Sequence, residues 1–381
     1  MRLGSLRTVQ WRNLEDREHQ FSEGVNVLVG GNGQGKTNVI EAVHYLALGR
    51  SHRGARDDEI LRFGGEHFFV RGDGEGDAGD VFSIEAGFTP PRAKRLKVAG
   101  QAVTRLTDLA GVLACVSFGP EDAELARGAP QQRRRYVDYA LAETSRTSLN
   151  ALAEYRRVLQ QRGAWLRAAR RRPPLAGEPD LRVWDEELVR TGAEVVRRRA
   201  EALVDLAPRV EECHRRLGGG EALCLRYAVH ATGRRFQVGE ELLEFLAAGG
   251  LEAAFAARLR ERRAAELAQR VNLVGPHRDD VEIEVGARDL RRFGSQGQCR
   301  TAAVAMKMAQ ADFIRAQRRD RPVVLLDDVF AELDEERAGC LWEVVCREHQ
   351  TFLAVPRRSD LRFGDGDAVF RVEAGRLLRE K

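Results

Sequence analysis

The sequence predicts an α/β fold: a mixed or parallel sheet with an antiparallel β lobe beside it, split by an inserted, mostly helical domain. Three observations predict it. Val25–Val29 is an apolar run no longer than a buried strand, and it breaks into a glycine-rich loop before a helix-forming stretch from Asn38 to Leu48. Far downstream, Val323-Val324-Leu325-Leu326 is a second continuous apolar run, ending in Asp327-Asp328; such a run suits a strand covered on both faces of a parallel sheet. Between them, from Glu121 to about Arg270, the strand pattern gives way to apolar residues at helical spacing. The expected domains are therefore 1–120 and 271–381, two parts of one head, with 121–270 inserted as a helical arm.

A chain of 381 residues can bury a large core and build more than one lobe. No apolar run approaches membrane-spanning length. Met1 to Gln10 lacks the apolar centre of a signal peptide. The six cysteines show no C-x-x-C pair and no metal spacing, so a cytoplasmic protein with free thiols and no membrane partner is expected. Net charge is only +4, too little to announce a nucleic-acid binder by itself. Five of the 62 basic residues are lysine, leaving 57 arginines; in such a background an arginine run is weak evidence for a phosphate-binding patch. Its distribution says more: residues 121–270 carry 28 basic and 23 acidic side chains, while the rest of the chain is almost balanced.

In order, Leu3–Val9 reads as a first strand, followed by Trp11-Arg12-Asn13-Leu14. After the first helix comes a polar, basic turn, Gly49 to Gly54, containing Arg53. Phe68–Val70, Val81–Ile84 and Leu96–Val98 are short strands separated by glycine- and acid-rich stretches such as Gly72 to Asp80. They predict an antiparallel sheet beside the first. Val112–Phe118 adds one more strand, closed by Gly119-Pro120.

In the middle, Leu152, Tyr155, Leu159 and Leu166 share a helical face, as do Leu181, Trp184, Leu188 and Val195. Breakers at Pro173-Pro174, Pro179, Pro208, Gly218–Gly220 and Gly249-Gly250 cut the segment into ordinary helices and exclude one long coiled coil. The runs Arg133-Arg134-Arg135, Arg170–Arg172 and Arg197–Arg199 are either solvated helix faces or contacts to DNA phosphates.

After Val271, Gly275 to Asp280 reads as a turn, in which His277 suits packing better than catalysis. Val281–Val285 alternates like a half-buried strand, and a helix follows Phe293-Gly294-Ser295-Gln296-Gly297-Gln298. Thr351–Val355 and Ala368–Val372 are the closing strands.

Gly30-Gly31-Asn32-Gly33-Gln34-Gly35-Lys36-Thr37, opening a helix at Asn38, is the G-x-x-x-x-G-K-[ST] pattern in its strand–loop–helix setting. Glycines let successive N–H groups and a helix start point at phosphate oxygens. Lys36 would reach the β- and γ-phosphates of ATP and the Thr37 hydroxyl would bind Mg²⁺. Asp327, at a strand end where open α/β sheets place ligands, would hold Mg²⁺ through water, and Asp328 would orient the attacking water. Phosphoryl transfer needs little more than such placement and charge neutralisation.

Ser295-Gln296-Gly297-Gln298, lying between these motifs, resembles the signature of ABC-type ATPase heads, with Glu332-Leu333-Asp334 in the position of their D-loop. The chain further resembles the RecF family of the SMC-like branch nearly end to end. The resemblance runs through Trp11-Arg12-Asn13, the glycine loop, Gly119-Pro120-Glu121-Asp122, Arg133 to Asp138, Gly275 to Asp280, Ser295 to Gln298 and Leu326 to Asp334, with Asp rather than Glu at 328. It implies an ABC-type P-loop ATPase head in which the signature completes the site of a second subunit. It also implies an ATP-dependent homodimer acting in DNA repair on duplex and gapped DNA, with RecR, RecO and a recombinase as partners. Arg53 and Arg133–Arg135 are the candidate DNA contacts.

One departure stands out: the strand after Asp328 ends Ala354-Val355-Pro356 rather than in a histidine or a small hydroxyl residue, and His349 precedes it. That predicts slow hydrolysis. A small-molecule P-loop kinase, or an ABC-type ATPase that does not act on DNA, is the alternative reading.

Overall fold

The computed structural model describes residues 1–91, 93–168, 181–357 and 366–380. The Arg170–Arg172 run and the prolines at 173, 174 and 179 lie outside them. The chain divides into two compact units, 1–122 with 216–218 and 304–381, and 123–215 with 219–303.

The first unit opens with β1 (Arg2–Val9), β2 (Arg17–Gln20), β3 (Val25–Val29) and helix α1 (Lys36–Leu48). Then follow β4 (Phe68–Glu75), β5 (Val81–Thr89), β6 (Ala93–Val98), β7 (Gln101–Val103) and β8 (Cys115–Phe118). The antiparallel lobe has the order β2-β1-β4-β5-β6-β7. β4 runs through Gly72 and Gly74, where the sequence suggested a break. A Cβ at Gly72 would stand 2.6 Å from Leu46 of α1, and one at Gly74 2.1 Å from the Arg2 carbonyl oxygen. These glycines serve close packing inside a strand rather than a turn.

The second unit holds the long helices α2 (Pro130–Thr144), α3 (Arg146–Ala168) and α4 (Leu181–Arg216). Pro208 lies inside α4 and does not end it. The buried stripe of Leu203, Leu206, Val210 and Cys213 carries the helix past the missing N–H. A hairpin of β9 (Leu223–Val229) and β10 (Arg234–Gln237) follows, then α5 (Leu251–Gln269), β11 (Asp280–Val285) and β12 (Arg288–Asp289). These strands form a sheet of order β10-β9-β11-β12. The unit is thus not purely helical, and it continues to residue 303 rather than ending at 270. β11 pairs with β9 along its whole length, Val281 opposite Tyr227, which ties the segment after 271 into this unit.

Helix α6 (Gln296–Arg318) then leads to β13 (Val323–Asp327), β14 (Thr351–Val355), β15 (Ala368–Glu373) and β16 (Arg376–Arg379). With β3 and β8 they complete the second sheet of the first unit, order β16-β15-β3-β14-β13-β8, parallel except for the β16 edge. One apolar core joins both sheets of this unit through α1: Leu3, Phe68 and Ile84 from the antiparallel lobe, Val39, Val43 and Leu46 from the helix, and Leu28, Leu325 and Phe352 from the parallel sheet. Burial all round explains why α1 lacks a strong polar face. Trp11 meets Tyr45 and Phe68 edge-on, with ring centres 5.0 and 5.1 Å apart. Among the described residues no helix is long and apolar enough to cross a membrane, and no disulfide joins the cysteines.

Candidate nucleotide site

The parallel register fixes where the two motifs meet. β14 lies between β3 and β13, with Val355 beside Val29 and Ala354 beside Asp327. The glycine loop and the two aspartates therefore leave the same carboxyl edge of the sheet, one strand apart. The Thr37 hydroxyl donates to Asp327 Oδ1 at 3.0 Å.

Three of the four loop glycines have a physical reason of their own. A Cβ at Gly30 would stand 2.4 Å from the Val372 carbonyl oxygen. Gly33 and Gly35 sit at φ 77° and 118°, the region glycine occupies at no steric cost. Gly31 has neither constraint, its nearest neighbour being the Gln34 side chain at 3.9 Å. The loop is braced from outside: Asn13 Nδ2 donates to the Gln34 carbonyl at 3.2 Å and Asn13 Oδ1 accepts from Asn38 Nδ2 at 2.7 Å. The β15–β16 turn donates from Ala374 N to Gln34 Oε1 and from Gly375 N to the Gln34 carbonyl. The buried Lys36 ammonium folds over the loop, donating to the carbonyls of Gly30 at 2.7 Å and Gly31 at 3.1 Å. Asn32 is exposed at the tip.

Burial pushes the Asp327 carboxyl above the usual range, opposed by the Thr37 hydrogen bond and by the charges of Lys36 and Arg53, and reinforced by Asp328. Asp328 sits at φ 53°. Its Oδ1 is buried without a hydrogen-bond partner among the described residues. The positive φ and the unsatisfied carboxylate oxygen both cost local stability. Among the described residues no group of three or more His, Cys, Asp or Glu is placed to hold a metal. A hydroxyl and a single carboxylate instead suit a hard cation that keeps most of its water.

Behind the loop lies a group the sequence reading did not single out. Glu41, fully buried on α1, accepts from Arg12 Nε at 2.9 Å and Nη2 at 3.0 Å and from the Ser51 hydroxyl at 2.5 Å. Burial raises its pKa, but the Arg12 and Ser51 hydrogen bonds outweigh that and hold it below the usual carboxylate range. Ser51 Oγ in turn accepts the Arg53 backbone N–H at 3.1 Å. Arg53, 45% exposed, brings Nη1 to 4.0 Å from Glu41. Trp11-Arg12-Asn13 thus serves the site three ways: the Trp11 indole donates to the Asn38 carbonyl at 3.1 Å, Arg12 holds Glu41, and Asn13 braces the loop.

Ser295 to Gln298 form a reciprocal cap at the start of α6. Ser295 Oγ accepts from Gln298 N at 3.2 Å and Gln298 Oε1 accepts from Ser295 N at 2.9 Å. Ser295, Gln296 and Gly297 are exposed. A Cβ at Gly297 would meet nothing within 4 Å, so neither strain nor packing within this chain asks for glycine there. Asp334 caps the helix Glu335–Leu341, accepting from Arg337 N at 2.9 Å. His349 is buried at the amino end of β14, against the Pro322 carbonyl.

The arginine run requires correction. Arg133 is 2% exposed and grips Asp280 with two hydrogen bonds of 2.8 and 2.9 Å; it is spent inside the second unit and is not available to DNA. Arg134 is half-buried and donates to the Asp279 carbonyl. Of the three, Arg135 alone is exposed. Arg199 of the later run is likewise buried, on Asp138 and Asp279. His277 packs in a turn, bonded to the Tyr155 hydroxyl at 2.7 Å, with burial lowering its pKa to about 4.

Residues 2–373 match the RecF/RecN/SMC N terminal domain family. The chain is 35% identical to the DNA replication and repair protein RecF of Heliobacterium modesticaldum, covering 100% of this chain and 99% of the relative. To the protein of the same description from Symbiobacterium thermophilum it is 38% identical, covering 99% and 98%. It superposes on a solved structure of the recombination mediator protein RecF with ATP, of the RecFOR pathway, with TM-score 0.88 at 30% identity, covering 100% of this chain and 97% of the other. A Pyrococcus furiosus Smc head domain shares the fold alone, at TM-score 0.55 and 16% identity. With the two motifs joined on one sheet edge and these relatives matched over their full length, the chain belongs to the RecF/RecN/SMC family of ABC-type ATPases, on its RecF branch.

Proposed function

We propose that the protein is an ATP-driven clamp of DNA repair in the cytoplasm: it binds Mg·ATP, closes as a homodimer on duplex or gapped DNA, and hydrolyses slowly to let go. The observation that carries this reading is the hydrogen bond between Thr37 and Asp327, which brings the two motifs together. Gly30 to Asn38 would wrap the phosphates, with Lys36 leaving its two carbonyl acceptors for the γ-phosphate. Mg²⁺ would be held by the Thr37 hydroxyl and, through water, by Asp327, and when bound it supplies charge neutralisation between the phosphate oxygens. Asp328, with an oxygen not otherwise engaged among the described residues, would orient the attacking water.

Dimerisation is supported by the exposed start of α6. Ser295 to Gln298 present a helix N-terminus and an unconstrained Gly297 to solvent, a surface suited to the γ-phosphate on a second copy. Asp334 would serve as the D-loop residue. Val355-Pro356 in place of a polar residue supports slow turnover. Arg53 and Arg135 remain exposed candidates for DNA phosphates. Loading of a recombinase through RecR and RecO follows from the family relationship.

The test is light-scattering mass with and without Mg·ATP, for wild type, Lys36→Met, Ser295→Arg and Asp328→Asn, with short duplex DNA in parallel. Wild type should shift from monomer to dimer and bind DNA more tightly. Lys36→Met should lose nucleotide, Ser295→Arg should bind nucleotide without dimerising, and Asp328→Asn should stay closed. A Ser295→Arg protein that still dimerises would overturn the signature assignment, and a wild type whose mass never changes would overturn the clamp.

A further inference from the structure

The arginines of the 133–135 and 197–199 runs are largely engaged inside the second unit, but a different set of cations in that unit is only partly so. Three elements bring it together. His230 lies in the turn between β9 and β10, where the N–H groups of Thr232 and Gly233 return to the Val229 carbonyl at 3.1 and 3.0 Å. Arg258 of α5 lies against that turn, its guanidinium carbon 3.9 Å from where a Cβ on Gly233 would stand. Arg262 follows it by one helical turn on the same side of α5. Arg278 ends the short turn Pro276–Arg278, and the next residue, the buried Asp279, accepts the His230 backbone N–H at 2.8 Å. That bond fixes the Arg278 turn beside the hairpin.

Two nitrogens at this place are buried with no hydrogen-bond partner among the described residues, His230 Nδ1 and Arg258 Nε. Arg262 and Arg278 are exposed. Arg278 spends its Nε on the Asn272 carbonyl at 3.1 Å, and Arg258 spends Nη1 on Glu261 at 2.7 Å. Burial first, then the charges of Arg278, Arg258 and Arg262, lower the His230 pKa. Among the described residues the ion pair formed by these three guanidiniums is Arg258 with Glu261; an anion would satisfy the charge that remains around the half-buried imidazole. Further arginines lie on β10, where Arg234 sits over the Phe236 ring at 4.7 Å and the exposed Arg235 reaches Glu282 at 3.3 Å.

We propose that His230, Arg258, Arg262 and Arg278 form an anion site that takes phosphodiester groups of a nucleic-acid backbone. The open rim and the further arginines on β10 favour a polyanion tracking the surface over a small ion, which would need enclosing donors. The proposal rests on the reading that the protein acts on DNA, and assigns to that reading a surface distinct from the arginine runs.

The test is fluorescence anisotropy of a labelled duplex with Mg·ATP, over a salt series, for wild type, Arg262→Ala, Arg278→Ala and the double variant. Both side chains are exposed, so folding and ATP binding should be unchanged. Each single change should lower the log–log salt slope by about one and the double change by about two, with at least a tenfold loss of affinity for the double variant at moderate salt. Unchanged affinity and slope in the double variant, with wild type binding duplex, would overturn this site alone. A wild type that fails to bind duplex would overturn the DNA reading and this site with it. Inorganic phosphate, followed through the His230 ring resonances, separates the sources. If phosphate shifts them while the double variant keeps wild-type duplex binding, the site serves a small anion and the nucleic-acid assignment falls.

Discussion

Thr37 Oγ1 and Asp327 Oδ1 lie 3.0 Å apart across 290 residues of sequence. The contact joins the first residues of α1 to the end of β13, so the hydroxyl and carboxylate expected to share a metal ion are already neighbours.

Asp327→Asn keeps an acceptor for Thr37 and removes the charge. Calorimetric ATP titrations should show the advantage conferred by Mg²⁺ largely lost, by tenfold or more. Burial raises the Asp327 pKa, so the native state gains stability when this group is protonated and loses it as pH rises through the folded value. The variant should therefore melt no lower than wild type above that value, and its relative gain should vanish as pH falls. A variant that melts lower at every pH would contradict this.

Glu41 behaves oppositely. Its pKa is held down by Arg12 and Ser51, so its contribution is present above the unfolded carboxylate value and lost as pH falls through the folded one. Glu41→Ala strands Arg12 beside a cavity and should cost about 3–5 kcal/mol in denaturant unfolding, as for other buried pairs broken from one side. Glu41→Gln, which can still accept from Ser51, should cost less. Equal stability of all three proteins would show that the network carries no energy.

Arg133→Ala should unfold more easily by about 3–5 kcal/mol, since it leaves Asp280 unpaired. In the folded protein, duplex affinity and its salt slope should match wild type. A lower slope without destabilisation would return Arg133 to the list of DNA contacts.

Gly297→Ala fills open space at the first turn of α6 and should leave the unfolding free energy equal or slightly raised, by about 0.5–1 kcal/mol at most. ATP-dependent dimer mass should nevertheless fall, and a Leu in its place should abolish it. Undiminished dimerisation by the Leu variant would mean that nothing approaches this glycine.

How much was legible follows a physical line. Gly30 to Thr37 and Val323 to Asp328 could be read because chain-local rules, glycine conformations and apolar runs, define them. The β9–β10 hairpin was missed although Leu223, Leu225, Tyr227 and Val229 alternate inward, because the helices around it dominated the composition of the region. Glu41 looks in sequence like any helix glutamate; only its contacts with residues 29 and 10 positions away bury it. The arginine runs misled for the same reason: whether a guanidinium is spent is decided by a carboxylate 147 residues on, as with Arg133 and Asp280.

The placement of β3 has a consequence for synthesis. Both of its sheet neighbours, β14 and β15, come from residues 351–373. The strand that carries the glycine loop is made early and must wait, unpaired and apolar, until almost the whole chain has left the ribosome, while residues 123–303 can assemble their own core in the meantime. Such distant pairing is slow and exposes a sticky strand. A ribosome stalled short of residue 351 should carry a protease-resistant second unit and a first unit that chaperones still hold.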